Sequence, residues 1–152
     1  MKFRSYIDTS VIGGCFDEEF SEFSLRLIEE FKSGKKVMLV SDLTLEELES
    51  APLKIREVLQ GIPEKNKEYL FLNEDAKLLA QRYIEEKSIS SKFLLDAQHI
   101  AIATINRVDV LVSWNFKHIV NLRRIHLYNS TNLKYGYPLI EIRSPREVIN
   151  DK

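Results

Sequence analysis

Cysteine is almost absent from this chain. Cys15 is the only one in 152 residues, so no disulfide can form within the chain. An excess of either charge is also lacking: 22 Lys and Arg stand against 23 Asp and Glu, for a formal net charge of −1. Phosphate neutralisation needs a concentrated basic surface, so any nucleic-acid contact has to come from a local patch. No apolar run approaches the ~20 residues that a membrane-spanning helix requires. The first residues lack the basic, apolar and small-residue order of a secretory signal, and a cytoplasmic location is expected. His99, His118 and His126 have no zinc-ligand spacing with the single cysteine, which points to core or surface histidines. Internal repeats and low-complexity segments are missing as well.

What is present suffices for one core. With 44% hydrophobic residues, residues 1–152 are expected to form a single domain. Lys2 to Ile7 reads as a strand, and Asp8-Thr9-Ser10 with Gly13-Gly14 as the loop after it. Phe20, Phe23, Leu27, Ile28 and Phe31 recur at helical spacing and Gly34 marks a stop, predicting a helix over 18–33. Further strands are expected at 37–40, 69–72, 108–112 and 139–142. Thr44 to Glu47 fits a capping box at a helix start, and Ile55, Val58 and Leu59 suggest a short helix after Pro52. Apolar stripes from Ala76 to Ile84 and from Ala97 to Ile105 predict two more helices, with Asp96 at the start of the second. Beyond Trp114 the pattern weakens until Ser144-Pro145-Arg146-Glu147 repeats the capping-box logic, followed by a tail expected to be ordered. Strands alternating with helices favour a mainly parallel sheet with helices on its faces. Ligands of such sheets sit beyond the carboxyl ends of the strands, where Asp8, Ser41 and Ser113 fall.

Three acids open three different α/β units: Asp8, Glu47 and Asp96. Each has a structural alternative. Asp8 can cap a turn, Glu47 can complete the capping box, and Asp96 can be a first-turn acid facing the helix dipole. Glu46 and Asp42 compete with Glu47 for any functional role. Taken together, acids from separate segments are how sites for hard divalent cations are commonly assembled. Lys117, His118, Arg123, Arg124 and His126 form a local basic cluster near the same rim. That location suits phosphate contacts, although such clusters are often only solvated surface.

Four segments carry a resemblance: Tyr-Ile-Asp-Thr-Ser-Val-Ile, Val-Ser-Asp-Leu-Thr-Leu-Glu-Glu-Leu at 40–48, Leu-Asp-Ala-Gln-His-Ile-Ala-Ile-Ala at 95–103, and Leu-Val-Ser-Trp-Asn-Phe-Lys-His-Ile at 111–119. In order and spacing they resemble the signature segments of PIN domains, many of which are VapC-type toxins of type II toxin-antitoxin pairs. The resemblance implies a three-layer α/β fold with a parallel sheet of about five strands, and hydrolysis of RNA with Mg²⁺ or Mn²⁺. It further implies a homodimer and, for a toxin, a small antitoxin protein. Asp8, Glu47 and Asp96 match the family's metal ligands, and Asn115 matches a position that is often acidic. Ser10 and Ser113 match supporting hydroxyls, and Lys117, His118, Arg123 and Arg124 are the expected RNA contacts. Asn115 is the departure: an amide brings no negative charge, so a second ion would be held less tightly.

Other readings fit less well. A haloacid-dehalogenase phosphatase needs a second aspartate where Ser10 stands, and a phosphoacceptor receiver needs an early acidic pair. A non-catalytic RNA-binding or protein-interaction module on the same fold is the alternative from another class.

Overall fold

The computed structural model describes residues 2–149; the expected order of the tail therefore lies, for 150–152, outside the described residues. Five strands, β1 (Arg4–Ile7), β2 (Val37–Ser41), β3 (Lys67–Leu70), β4 (Val110–Val112) and β5 (Ile142–Arg143), form one all-parallel sheet of order β3-β2-β1-β4-β5. Period-two alternation divides their side chains between two faces. Tyr6, Leu39, Leu111 and Ile142 join one buried cluster, and Ile7, Met38, Val40 and Val112 the other.

The first cluster is completed by α5 (Glu74–Glu85), α6 (Leu94–Ile105) and α7 (Leu122–Lys134), through residues such as Leu79, Tyr83, Ile100 and Tyr128. The second is covered by α1 (Thr9–Gly13), α2 (Ser21–Lys32), α3 (Asp42–Glu49) and α4 (Leu53–Gln60), with Val11, Leu27, Phe31, Leu48 and Leu59 inward. The short α8 (Pro145–Val148) packs beside α2, and Glu147 accepts from the Ser144 amide at 3.0 Å as its capping box predicts. The chain steps outward from β1 to β3, then returns to the other side of β1 with β4. The reversal leaves a crevice at the carboxyl ends of β1 and β4, which is where a sheet of this class binds ligands.

Several elements differ from the sequence reading. Residues 9–13 are helical rather than loop, because Gly13 and Gly14 keep right-handed helical backbone (φ −60° and −59°) and interrupt nothing. Gly14 is instead a close-approach position. A Cβ there would lie 2.6 Å from Ser24 Oγ and 2.7 Å from Trp114 Nε1, atoms that hydrogen-bond to each other at 2.8 Å. Gly14→Ala is therefore expected to push this buried pair apart and lower Tm by about 2–12 °C, as overpacking of ~1–3 kcal/mol does in a chain of this size. Gly13→Ala has nothing within 4 Å of the new methyl and should melt like wild type. Equal melting curves for the two variants would remove the packing role of Gly14.

The α3 helix starts at Asp42, two residues before the expected Thr44, so Glu47 lies well inside it and closes no capping box. β3 ends at Leu70 rather than 72, because the Leu72 amide donates to Asp42 Oδ1 and Asn73 caps α5. The strand expected at 139–142 is reduced to Ile142–Arg143. The weak pattern beyond Trp114 hides α7, whose inner face carries Tyr128, Thr131 and Asn132.

Candidate active site

Asp8 follows the central strand β1 at the N-cap of α1, yet its side chain caps nothing. Its two carboxylate oxygens accept from separate hydroxyls, Oδ1 from Ser10 and Oδ2 from Ser113, each at 2.6 Å. Those hydroxyls accept in turn from the backbone of the segment after β4: Trp114 N–H donates to Ser10 Oγ at 3.0 Å and Asn115 N–H to Ser113 Oγ at 2.9 Å. Two relays thus bind the β4 exit loop to one carboxylate. Asp8 is almost wholly buried. Burial pushes its pKa up from the usual range, while the His99 ring and the two serines pull the other way.

Asp96 lies in the first turn of α6, half-buried, and its pKa is also raised. Burial is the largest cause; Asp8 and Glu47 raise it further, and His99 and His118 oppose them. The three acids and two imidazoles therefore share one electrostatic field.

Glu47 projects from α3 toward His99, whose Nε2 lies 3.0 Å from Glu47 Oε1. The same ring meets the Tyr6 hydroxyl at Nδ1 (2.6 Å), and that hydroxyl lies 2.7 Å from Ser41 Oγ. The hydrogen bond to His99 is the main reason that the Glu47 carboxyl titrates below its ordinary value. Neighbouring Glu46 is exposed, as one helical position of rotation requires. Sequence reasoning passed over His99 as a core or surface histidine. The signal was its position three residues after Asp96, which puts both on one side of α6.

Asn115 is oriented by its surroundings. Its carbonyl oxygen accepts from the Lys117 and His118 amides at 3.2 and 2.9 Å, so its NH₂ is left to face Asp96 Oδ2 at 3.4 Å. The expected basic cluster spreads out. Lys117, Arg123 and His126 are exposed, and Arg124 donates to the Ser88 carbonyl at 2.9 Å. His118 is buried and stacks on Phe93 with ring centroids 3.6 Å apart.

Among the described residues, no three or more His, Cys, Asp and Glu side chains are gathered tightly enough to hold a metal ion by themselves. The donor chemistry nevertheless fits a hard divalent cation. Asp8 is a buried carboxylate held by hydroxyls, and its charge and that of Glu47 both repel the charge of Asp96. Mg²⁺ commonly takes only one or two carboxylates and keeps water at its other positions, so a preformed cage is not required.

No family model matches the sequence, and no curated protein matches it. Solved structures do match its fold. VapBC2 from Rickettsia felis, bound to a DNA fragment from their promoter, aligns over 93% of this chain and 98% of that chain, with TM-score 0.60 and 11% identity. Mycobacterium tuberculosis VapC20, a sarcin-ricin loop cleaving toxin, aligns over 74% of this chain and 91% of that chain, with TM-score 0.56 and 13% identity. The likeness is one of fold, and it agrees with the PIN-like, three-layer architecture that the sequence resemblance implies.

Proposed function

We propose that this chain, whose fold is that of the VapC structures, is a divalent-metal-dependent ribonuclease formed by one domain over 1–152. The observation that carries the reading is the buried Asp8 carboxylate at the β1/β4 crevice, with Asp96 and Glu47 in its field and hydroxyls as its hydrogen-bond partners. Asp8 and Asp96 would hold Mg²⁺ or Mn²⁺, with Glu47 set toward them by His99. A bound ion supplies Lewis-acid activation of the scissile phosphodiester and of the attacking water. Ser10 and Ser113 fix both oxygens of Asp8, which leaves its remaining lone pairs pointing in set directions. Asn115 donates toward Asp96 and holds the turn that carries Lys117, and Lys117, Arg123 and Arg124 are assigned to the RNA side, while His118, expected there from the sequence, is buried against Phe93 and is left out. By the same likeness of fold we assign the chain a toxin role with a small antitoxin partner, homodimeric assembly and a cytoplasmic location. Among the described residues no helix is long and apolar enough to cross a membrane.

The test is cleavage of RNA by chelator-treated protein as Mg²⁺ or Mn²⁺ is restored. Cleavage that is absent at every metal concentration would favour the non-catalytic module instead. Asn115 refines the test. In Asn115→Asp one oxygen keeps the two backbone amides and the other replaces the NH₂ that faces Asp96, adding negative charge where a cation would bind. The metal concentration for half-maximal cleavage is expected to fall about tenfold, and Asn115→Ala, which unties the turn, should raise it. Superimposed metal curves for the three proteins would place Asn115 outside the site.

A further inference from the structure

Beside the acids lies a group of aromatic rings for which the proposed chemistry has no use. Phe20 stacks on Trp114 with centroids 4.2 Å apart and planes 19° apart, and Phe116 meets Trp114 edge-on at 6.1 Å. The indole is locked from behind: its Nε1 donates to Ser24 Oγ, that hydroxyl donates to the Val11 carbonyl at 2.8 Å, and Gly14 leaves no room for a side chain. The outer rings are not buried to match. Phe116 is 49% exposed and Phe20 is half-buried, so a rigid aromatic surface faces solvent.

This surface is joined to the acidic site. The Trp114 and Asn115 amides are the donors that hold Ser10 and Ser113 on Asp8. A cleft of about 320 Å³, at the small end of ligand-binding pockets, is lined by Ser10, Gly13 and Asn115 together with Phe20 and Trp114. Asp17 also lines it, and Glu19, Glu147 and Arg146 line the neighbouring cleft with Phe20 and Phe116. Three carboxylates against one guanidinium disfavour a phosphate and tolerate an uncharged ring. A part-exposed aromatic surface with acids around it and a hydrolytic site next to it suits a base rather than the backbone of a nucleic acid.

We infer that Phe116, flanked by Phe20 and backed by Trp114, seats an unstacked nucleobase of a single-stranded substrate next to the Asp8–Asp96 acids. The inference rests on the ribonuclease reading for the identity of the substrate. Stacking on a ring is tolerant of base identity and is lost when the ring is removed. It therefore selects for unpaired strands over duplexes, whose bases are already stacked.

Trp114 is the only tryptophan, so its fluorescence reports on the cluster directly. Metal-free protein is titrated with a short single-stranded oligouridylate and, separately, with an abasic oligomer of equal length and charge. The base-bearing strand is expected to change Trp114 fluorescence and the abasic strand to leave it unchanged. Phe116→Ala should weaken oligouridylate binding roughly 5- to 150-fold, the range that removing one stacked ring produces, and Phe116→Tyr should bind as wild type. Equal binding of the two oligomers, or wild-type affinity in Phe116→Ala, overturns the base seat even if magnesium-dependent RNA cleavage is present. A base-dependent signal without cleavage of any RNA keeps the seat and removes the nuclease reading. Loss of a protein partner by Phe116→Ala with oligouridylate affinity intact makes the surface a protein-docking face and rejects the inference.

Discussion

Asp8→Asn is expected to abolish RNA cleavage while raising the melting temperature at neutral pH. Its carboxylate is buried, and in the proposed ribonuclease losing the charge that holds the metal removes several kcal/mol of transition-state stabilisation, a fall of about three orders of magnitude in rate. Stability moves the other way. Burial raises the folded-state pKa of Asp8 above its unfolded value, so the folded chain binds the proton more tightly. The group therefore weakens the fold progressively as pH rises from the usual aspartate pKa of about 3.9 through the raised value, and the penalty is complete above it. Asparagine has no such charge and can still hydrogen-bond both serines. The variant should melt above wild type at pH 7, and the gap should close as pH falls below that window. Asp96, raised for the same first reason, should follow the same trend in Asp96→Asn. Near-wild-type cleavage by Asp8→Asn after chelation and return of Mg²⁺ would take Asp8 out of the chemistry. A melting difference that is constant with pH would show that its charge carries no penalty.

Glu47→Gln is expected to lose cleavage by about one to two orders of magnitude, whereas Glu46→Gln should stay within about twofold of wild type. The two differ by a single position on α3. Glu47 reaches His99 at 3.0 Å and Glu46 is exposed. The linkage sign is opposite to that of Asp8. A Glu47 pKa lowered by His99 contributes stability above the usual glutamate pKa of about 4.3, and that contribution is lost as pH falls through the folded value. Because the side chain is partly exposed, the loss in Glu47→Gln at pH 7 should be small. Thermal melts and cleavage rates on the same preparations separate the roles. If Glu46→Gln proves to be the inactive variant, the second acid has been placed one residue off.

Asp8 and Asp96 were legible as candidates because one follows a strand and the other opens a helix, which period and spacing reveal directly, whereas Glu47 was read at a helix start and lies well inside α3. The relation among them was not legible, because it depends on His99. That residue sits in the apolar stripe of α6, where a lone histidine looks like core, and only the tertiary fold brings its ring between Glu47 and Tyr6. Local chemistry also misled at Gly13-Gly14: glycine was read as a breaker, whereas Gly14 is small to admit Trp114. The missing α7 has a related cause. Its buried face is polar, with Asn132 accepting from the Tyr83 hydroxyl at 2.6 Å and Tyr128 donating to the His118 carbonyl at 2.6 Å, so hydrophobic periodicity had little to detect. Where burial was apolar, as along α5 and α6, the reading and the structure agree on where the helices lie.

The hydroxyl that holds Asp8 Oδ2 belongs to a residue 105 positions further along the chain. At a synthesis rate of ~5–20 residues per second, about 5–20 s separate the emergence of Asp8 from that of Ser113. Until β4 docks against β1, that carboxylate lacks one wall of its pocket and Trp114 has no place against Gly14. A chain still on the ribosome through β3 carries two of the three acids without the enclosure that gives them their chemistry. The walls of that pocket are thereby completed in an order set by the chain, with the carboxylate made first and its second hydroxyl only after β4.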